Sequence, residues 1–167
     1  MNALISAVLL LKRLPRTGWV ESGVSDPESV ADHSFGLAVL TMLAADEGGL
    51  NAEKALKMAL LHDIVEGYLG DLTPKTKRKI PKQLLRTVEK AVFNQLIAGL
   101  PPKMARQYAQ LYENYIEYKS KEARLVHLLD RRELVYEAMW QAVHGRLRLS
   151  KFGIRMRGFI RRRPRMK

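Results

Sequence analysis

The chain contains no cysteine, which excludes disulfide frameworks, thiolate nucleophiles and metal sites built on sulfur. Any metal would have to be held by histidine and carboxylate. No apolar run reaches the ~20 residues that a membrane-spanning helix needs. The opening stretch, MNALISAVLLLKRLPRTGW, is apolar, but its basic residues follow the apolar run and no small-residue cleavage site appears. An amphipathic first helix is therefore expected rather than a secretion signal. Internal repeats, low-complexity tracts and convincing strand patterns are also missing. A cytoplasmic location is the default expectation.

What remains is enough for one domain. The 167 residues are 47% hydrophobic, which supports one substantial core and argues against disorder. The net charge of +12 is unevenly spread. Residues 145–167 hold ten Lys/Arg and no acid, leaving nineteen basic against seventeen acidic residues elsewhere. The division expected is a domain over 1–144 and a basic C-terminal extension over 145–167. Ten cations with Phe152 and Phe159 among them could neutralise and stack on a nucleic acid. A solvated end or a patch for an acidic partner surface is the favoured reading of such a segment.

Periodicity and punctuation predict an all-α bundle of about six helices. The first covers roughly Asn2 to Arg13, followed by a loop from Leu14 to Ser25. Asp26-Pro27 is expected to open the second as cap and first turn, ending near Asp46. Asn51 caps a third that ends before Gly67 or Gly70. After a loop with Pro74 and Pro81, a fourth ends near Gly99, Pro101-Pro102 starts a fifth, and Ser120 to about Val143 forms the sixth.

On these helices His33, His62-Asp63 and Asp130 project from apolar stripes. His33 shares a face with Val30, Leu37 and Leu40; Met58 and Ala59 lie one turn behind His62; Asp130 sits between Val126 and Leu134. Buried carboxylates need a partner. Two imidazoles and two carboxylates form a nitrogen/oxygen set suited to a divalent transition ion, which activates water and clamps phosphoryl oxygens. The alternative is four separately hydrogen-bonded core residues, Asp130 pairing with Arg131 or Arg132. Glu66, four residues after His62, is expected on the same face as a proton acceptor. Asp71 occupies a following turn, and Arg16 and Trp19 lie in the loop before the second helix. An arginine fork suits phosphate, and an indole can pack on a sugar or base; taken singly, Trp19 reads as a partly buried packing residue, Arg16 as a surface charge, Glu66 as a solvated helix residue and Asp71 as a turn former. His127 reads as a packed or exposed helix residue and His144 as an exposed one near a helix end.

The segments LKRLPRTGWV, DPESVADHS, LLHDIVEGYLGDLTP and VHLLDRRELVYEA, in this order, resemble the HD-domain 5'-deoxynucleotidase family over roughly Leu10 to Trp140. The resemblance implies an all-α, usually homodimeric phosphohydrolase that removes the 5'-phosphate from deoxynucleoside monophosphates. It implies one divalent ion (Mn, Co, Fe, Ni or Zn) on His33, His62, Asp63 and Asp130. Glu66 would handle the proton of the attacking water and Asp71 would assist at the phosphate or leaving oxygen. Arg16 would bind phosphate, and Trp19 would help exclude a ribose 2'-hydroxyl. The Arg131-Arg132 pair departs from the family pattern and bears on substrate range. Related HD domains act on signalling nucleotides or nucleotide pyrophosphates, which stands as the alternative substrate class.

Overall fold

A computed structural model of the protein describes residues 3–145. The basic segment beyond them, with its nucleic-acid reading, lies outside the described residues. Nine helical elements follow one another: α1 (Ala3–Leu11), α2 (Thr17–Glu21), α3 (Val30–Glu47), α4 (Ala52–Leu61), α5 (Glu66–Leu69), α6 (Pro74–Lys77), α7 (Lys82–Ile97), α8 (Pro102–Ile116) and α9 (Lys121–Val143). The six expected helices are present, and three short pieces, α2, α5 and α6, fill two expected loops and the tail of the third helix. Among the described residues no helix is long and apolar enough to cross a membrane.

Two caps form as the sequence predicts. The Asn51 side chain accepts from the Lys54 amide, and the Ser120 hydroxyl accepts from the Ala123 amide. The start of α3 differs. Ser29, not Asp26, is the cap: its hydroxyl accepts from the Asp32 amide while the Asp32 carboxylate accepts from the Ser29 amide. That reciprocal box satisfies two donors at once, whereas Asp26-Pro27 precedes the helix. The residues from Pro15 to Ser29 form a closed lobe. An isolated antiparallel bridge joins Pro15 to Ser29, with Arg16 N–H on the Glu28 carbonyl and Val30 N–H on the Leu14 carbonyl, both at 2.9 Å.

The second departure is at His62. The helix expected to end before Gly67 or Gly70 stops at Leu61, and residues 62–65 turn before α5 begins at Glu66. Carbonyls freed at a helix end need donors, and the His62 imidazole Nδ1–H supplies one to the Ala59 carbonyl at 2.7 Å. Glu66 therefore belongs to a separate helical turn rather than to the His62 face.

The central helix α3 packs against α4 on one side and α9 on another, while the α7–α8 hairpin and α1 close the bundle. Val30, Leu37, Met58, Phe93, Val126 and Ala123 are almost completely buried between them. Phe93 stacks on Tyr112 with ring centroids 4.0 Å apart, fastening α7 to α8. His127 is packed between the rings of Tyr115 and Tyr118, and His144 is exposed at the end of α9.

The short α5 is held against α1 at one close backbone approach. A Cβ built on Gly67 would stand 2.9 Å from the Ala7 carbonyl oxygen and 3.2 Å from the Ala7 Cα. Backbone on both sides leaves no soft side chain to yield. Gly67→Ala should therefore destabilise the fold by about 1–3 kcal/mol, measured by urea denaturation. A variant as stable as the parent would show that α1 can retreat freely.

Candidate metal centre

His33 is wholly buried on α3. Its Nδ1–H donates to the Glu133 carboxylate at 2.5 Å across the α3–α9 contact. Room for that carboxylate depends on Gly36, since a Cβ there would lie 2.9 Å from Glu133 Oε1. With Nδ1 thus engaged, Nε2 of His33 points the other way, 3.2 Å from Asp130 Oδ1 but with no hydrogen bond formed. His62 repeats the pattern: Nδ1 is on the Ala59 carbonyl, and Nε2 is buried without a hydrogen bond, 2.9 Å from Asp63 Oδ2. The two rings meet edge-on with centroids 5.3 Å apart.

These observations test the fit for a cation. In each ring the hydrogen bond at Nδ1 selects the tautomer whose Nε2 carries a lone pair, the usual arrangement for a histidine ligand. His33, His62 and Asp130 each offer one donor atom, all within 4.8 Å of one another. Ligand atoms set at right angles on an ion at about 2.1 Å would be about 3 Å apart, close to the two nitrogen–carboxylate separations. Asp63 reaches the group through its contact with His62 Nε2, and the same oxygen also accepts from Arg16 at 3.2 Å. The donors fit a divalent ion. Asp130 makes its ion-pair contact with His33, and Arg131 and Arg132 face solvent.

Without a cation, the imidazole compensates. Burial alone would lower the His33 pKa, but the facing carboxylates of Asp130 and Glu133 prevail and push it up to about 10. Burial would likewise raise Asp63, yet His62 and the Arg16 guanidinium hold it below the usual carboxylate range. Glu66 behaves oppositely. Its burial, reinforced by the charge of Asp63, pushes its carboxyl up to about 9. Its Oε1 accepts from Lys77 Nζ at 3.2 Å, and Oε2 is buried with no partner.

Arg16 is held between Asp63 and Asp71, 3.7 Å from Asp71 Oδ1, and Asp71 Oδ2 accepts from the Thr17 amide at 2.6 Å. Asp71 is thus a clamp on the arginine loop. Trp19 is 1% exposed, packed with Val24 and Ala138. It offers no ring face to a ligand, and its indole N–H donates to Glu28 at 2.9 Å. Sequence reasoning missed Glu133, Lys77 and Glu28. The three-residue spacing from Asp130 to Glu133 on one helix carried a signal for the first. Lys77 was hidden in the basic run KTKRK, and Glu28 in what reads as a helix start.

Burial, then the nearby Glu133 charge, push Glu28 up to about 7 against the lowering effect of its Trp19 bond. A group raised on folding contributes stability that is complete below its unfolded pKa, about 4.3, and is lost as pH rises through the folded one. Stability should therefore fall across this window by an increment that Glu28→Gln removes while its amide oxygen keeps the indole bond. Parallel denaturation profiles for the two proteins between pH 4 and 8 would refute this.

A family model described as HD domain matches residues 8–166, extending beyond the Leu10 to Trp140 span that carries the motifs. A relative named 5'-deoxynucleotidase HDDC2, from Mus musculus, is 38% identical over 128 residues, covering 77% of this chain and 63% of that one. This chain thus spans somewhat under two thirds of that relative's length. The Dictyostelium discoideum protein of the same name is 32% identical over 160 residues, covering 89% of this chain and 83% of its own. A crystal structure of a Pyrococcus horikoshii OT3 protein superposes with a TM-score of 0.77 at 34% identity, over 96% of this chain and 90% of that one. With the histidine and aspartate donors gathered at one point of an all-α bundle, the chain belongs to the HD-domain family.

Proposed function

We propose that the protein is a metal-dependent phosphohydrolase that removes the 5'-phosphate from deoxynucleoside monophosphates. The observation that carries this reading is the pair of buried imidazole nitrogens without a hydrogen bond, facing carboxylates, beside a half-buried arginine. The relatives named 5'-deoxynucleotidase support the substrate class. One divalent ion (Mn, Co, Fe, Ni or Zn) held by His33, His62, Asp63 and Asp130 would supply Lewis acidity toward a phosphoryl oxygen and a water.

The chain's own groups do the rest. Arg16 presents its fork to the nonbridging oxygens, where charge must be neutralised as the phosphoryl group transfers. Asp71 and the Thr17 amide fix the loop that carries it. Glu66 handles the proton of the attacking water through Oε2, while Lys77 steadies Oε1. In the metal-free chain burial keeps this carboxyl protonated; positive charge nearby lowers its pKa and frees it as a base. Trp19 acts on sugar selectivity from behind, through the shape of the loop it anchors, because its ring is buried. A cytoplasmic setting accords with a nucleotide substrate and a cysteine-free chain.

Two copies associate as a homodimer in this reading. Phe35, Val39, Met42 and Leu43 form an exposed apolar stripe along α3, at the spacing of one helical face. Phe35→Asp with Leu43→Asp should reduce the mass measured by light scattering from a dimer's to the 19.1 kDa of one chain. An unchanged dimer would move the interface elsewhere.

The activity test is phosphate release from a panel of 5'-deoxy- and ribonucleoside monophosphates, with EDTA and then restored manganese or cobalt. Metal-dependent release favouring deoxynucleotides and abolished in Asp63→Ala is expected. No release from any monophosphate would shift the reading to signalling nucleotides or nucleotide pyrophosphates. Glu66→Gln should keep its metal content by elemental analysis yet lose about a hundredfold or more in kcat, in keeping with lost proton transfer. Undiminished turnover would remove Glu66 from the mechanism.

A further inference from the structure

A second cavity lies on the Nδ1 side of His33, away from the nitrogen that faces His62. Its volume is about 560 Å³, a size typical of small-molecule sites and many times that of an ion. Asp26, Glu28 and Glu137 contribute carboxylates, Tyr136 and Trp140 contribute aromatic rings, and Gln141 lines the floor. Glu133 holds the His33 ring and Glu28 holds the Trp19 indole; the other residues named here have no part in the proposed hydrolysis.

Acidity alone would select no ligand; Gln141 adds direction. Its side chain is almost completely buried, and Nε2 donates to Glu137 Oε1 at 2.6 Å. A carboxylate accepts and does not donate, so this bond fixes which end of the amide is nitrogen. Oε1 is then a buried acceptor with no hydrogen-bond partner, a costly condition that a donor would relieve. Apart from the Tyr136 hydroxyl, the Trp140 indole and the Gln141 amide N–H already given to Glu137, the polar side chains lining the cavity offer acceptors. The fitting occupant brings N–H donors, positive charge and some apolar length to lie on two rings.

We propose that this cavity binds an organic ammonium ion of the diamine or polyamine class, its N–H groups on Gln141 Oε1 and the Glu28 and Glu137 carboxylates and its methylenes against Tyr136 and Trp140. A hydrated divalent ion meets only the charge requirement. It leaves the aromatic faces and most of the volume unused.

Calorimetric titration of the full chain with putrescine and spermidine, at fixed ionic strength, tests this. Saturable one-to-one binding is expected, weakened at least about tenfold by Glu137→Gln and by Gln141→Leu, since each removes a contact to a charged donor. Glu137 is only partly buried, so its variant decides the matter should Gln141→Leu fail to fold. Tetramethylammonium, which has the charge but no N–H donor, should not bind, and magnesium at the same ionic strength should not displace the amine. Absence of saturable binding, equal affinity in the folded variants, equal binding of tetramethylammonium, or displacement by magnesium would each overturn the proposal.

Discussion

The contact between His33 and Glu133 is the constraint from which much of the site's arrangement follows. It joins the central helix to the last one through a buried imidazole and a carboxylate, a pairing that is costly unless every lone pair is answered. Gly36 leaves the space in which that carboxylate sits. By occupying Nδ1 it turns Nε2 toward His62 and Asp130, so packing and ligand geometry are set by one bond. The high His33 pKa has the same origin: the Asp130 and Glu133 carboxylates that face the ring favour its charged form over the cost of burying it.

The site is built where helices end or meet. Asp63 and Glu66 flank the turn that terminates α4, His62 caps that end with its own ring, and Asp71 follows α5. A continuous helix from Ala52 to Gly67 would have displayed His62 and Glu66 on one face and turned Asp63 about 100° away from His62. The break brings Asp63 back beside His62 and places Glu66 in its own turn beneath Lys77. Backbone irregularity here is how three consecutive chemical roles fit within five residues.

Much of this was legible in the sequence. Polar residues standing in apolar stripes at His33, His62 and Asp130 correctly marked positions that converge, because burial of a titratable group demands company. Asn51 and Ser120 announced their helices because a cap is a local bond with a local signature. The errors have equally physical roots. Asp26-Pro27 has every attribute of a helix start, yet the Ser29–Asp32 box satisfies two donors reciprocally and wins. The stop at His62 carries no glycine or proline; it depends on a ring finding the Ala59 carbonyl, which composition does not report. Trp19 reads singly as a partly buried packing residue, and so it is, but the extent of its burial depends on Val24 and Ala138, the second more than a hundred residues away.

The lobe from Pro15 to Ser29 is pinched at its neck by the Pro15–Ser29 bridge, the Arg16–Glu28 backbone bond and the Trp19–Glu28 side-chain bond. Everything that orients Arg16 lies at or below that neck. Within the lobe Val24 packs on Trp19, so it is at the exposed Ser25 and Asp26 that a longer loop above the fixed neck adds little entropic cost. Insertions there would leave the arginine in place, so this rim of the lobe can diversify while the buried cluster beneath it stays constant.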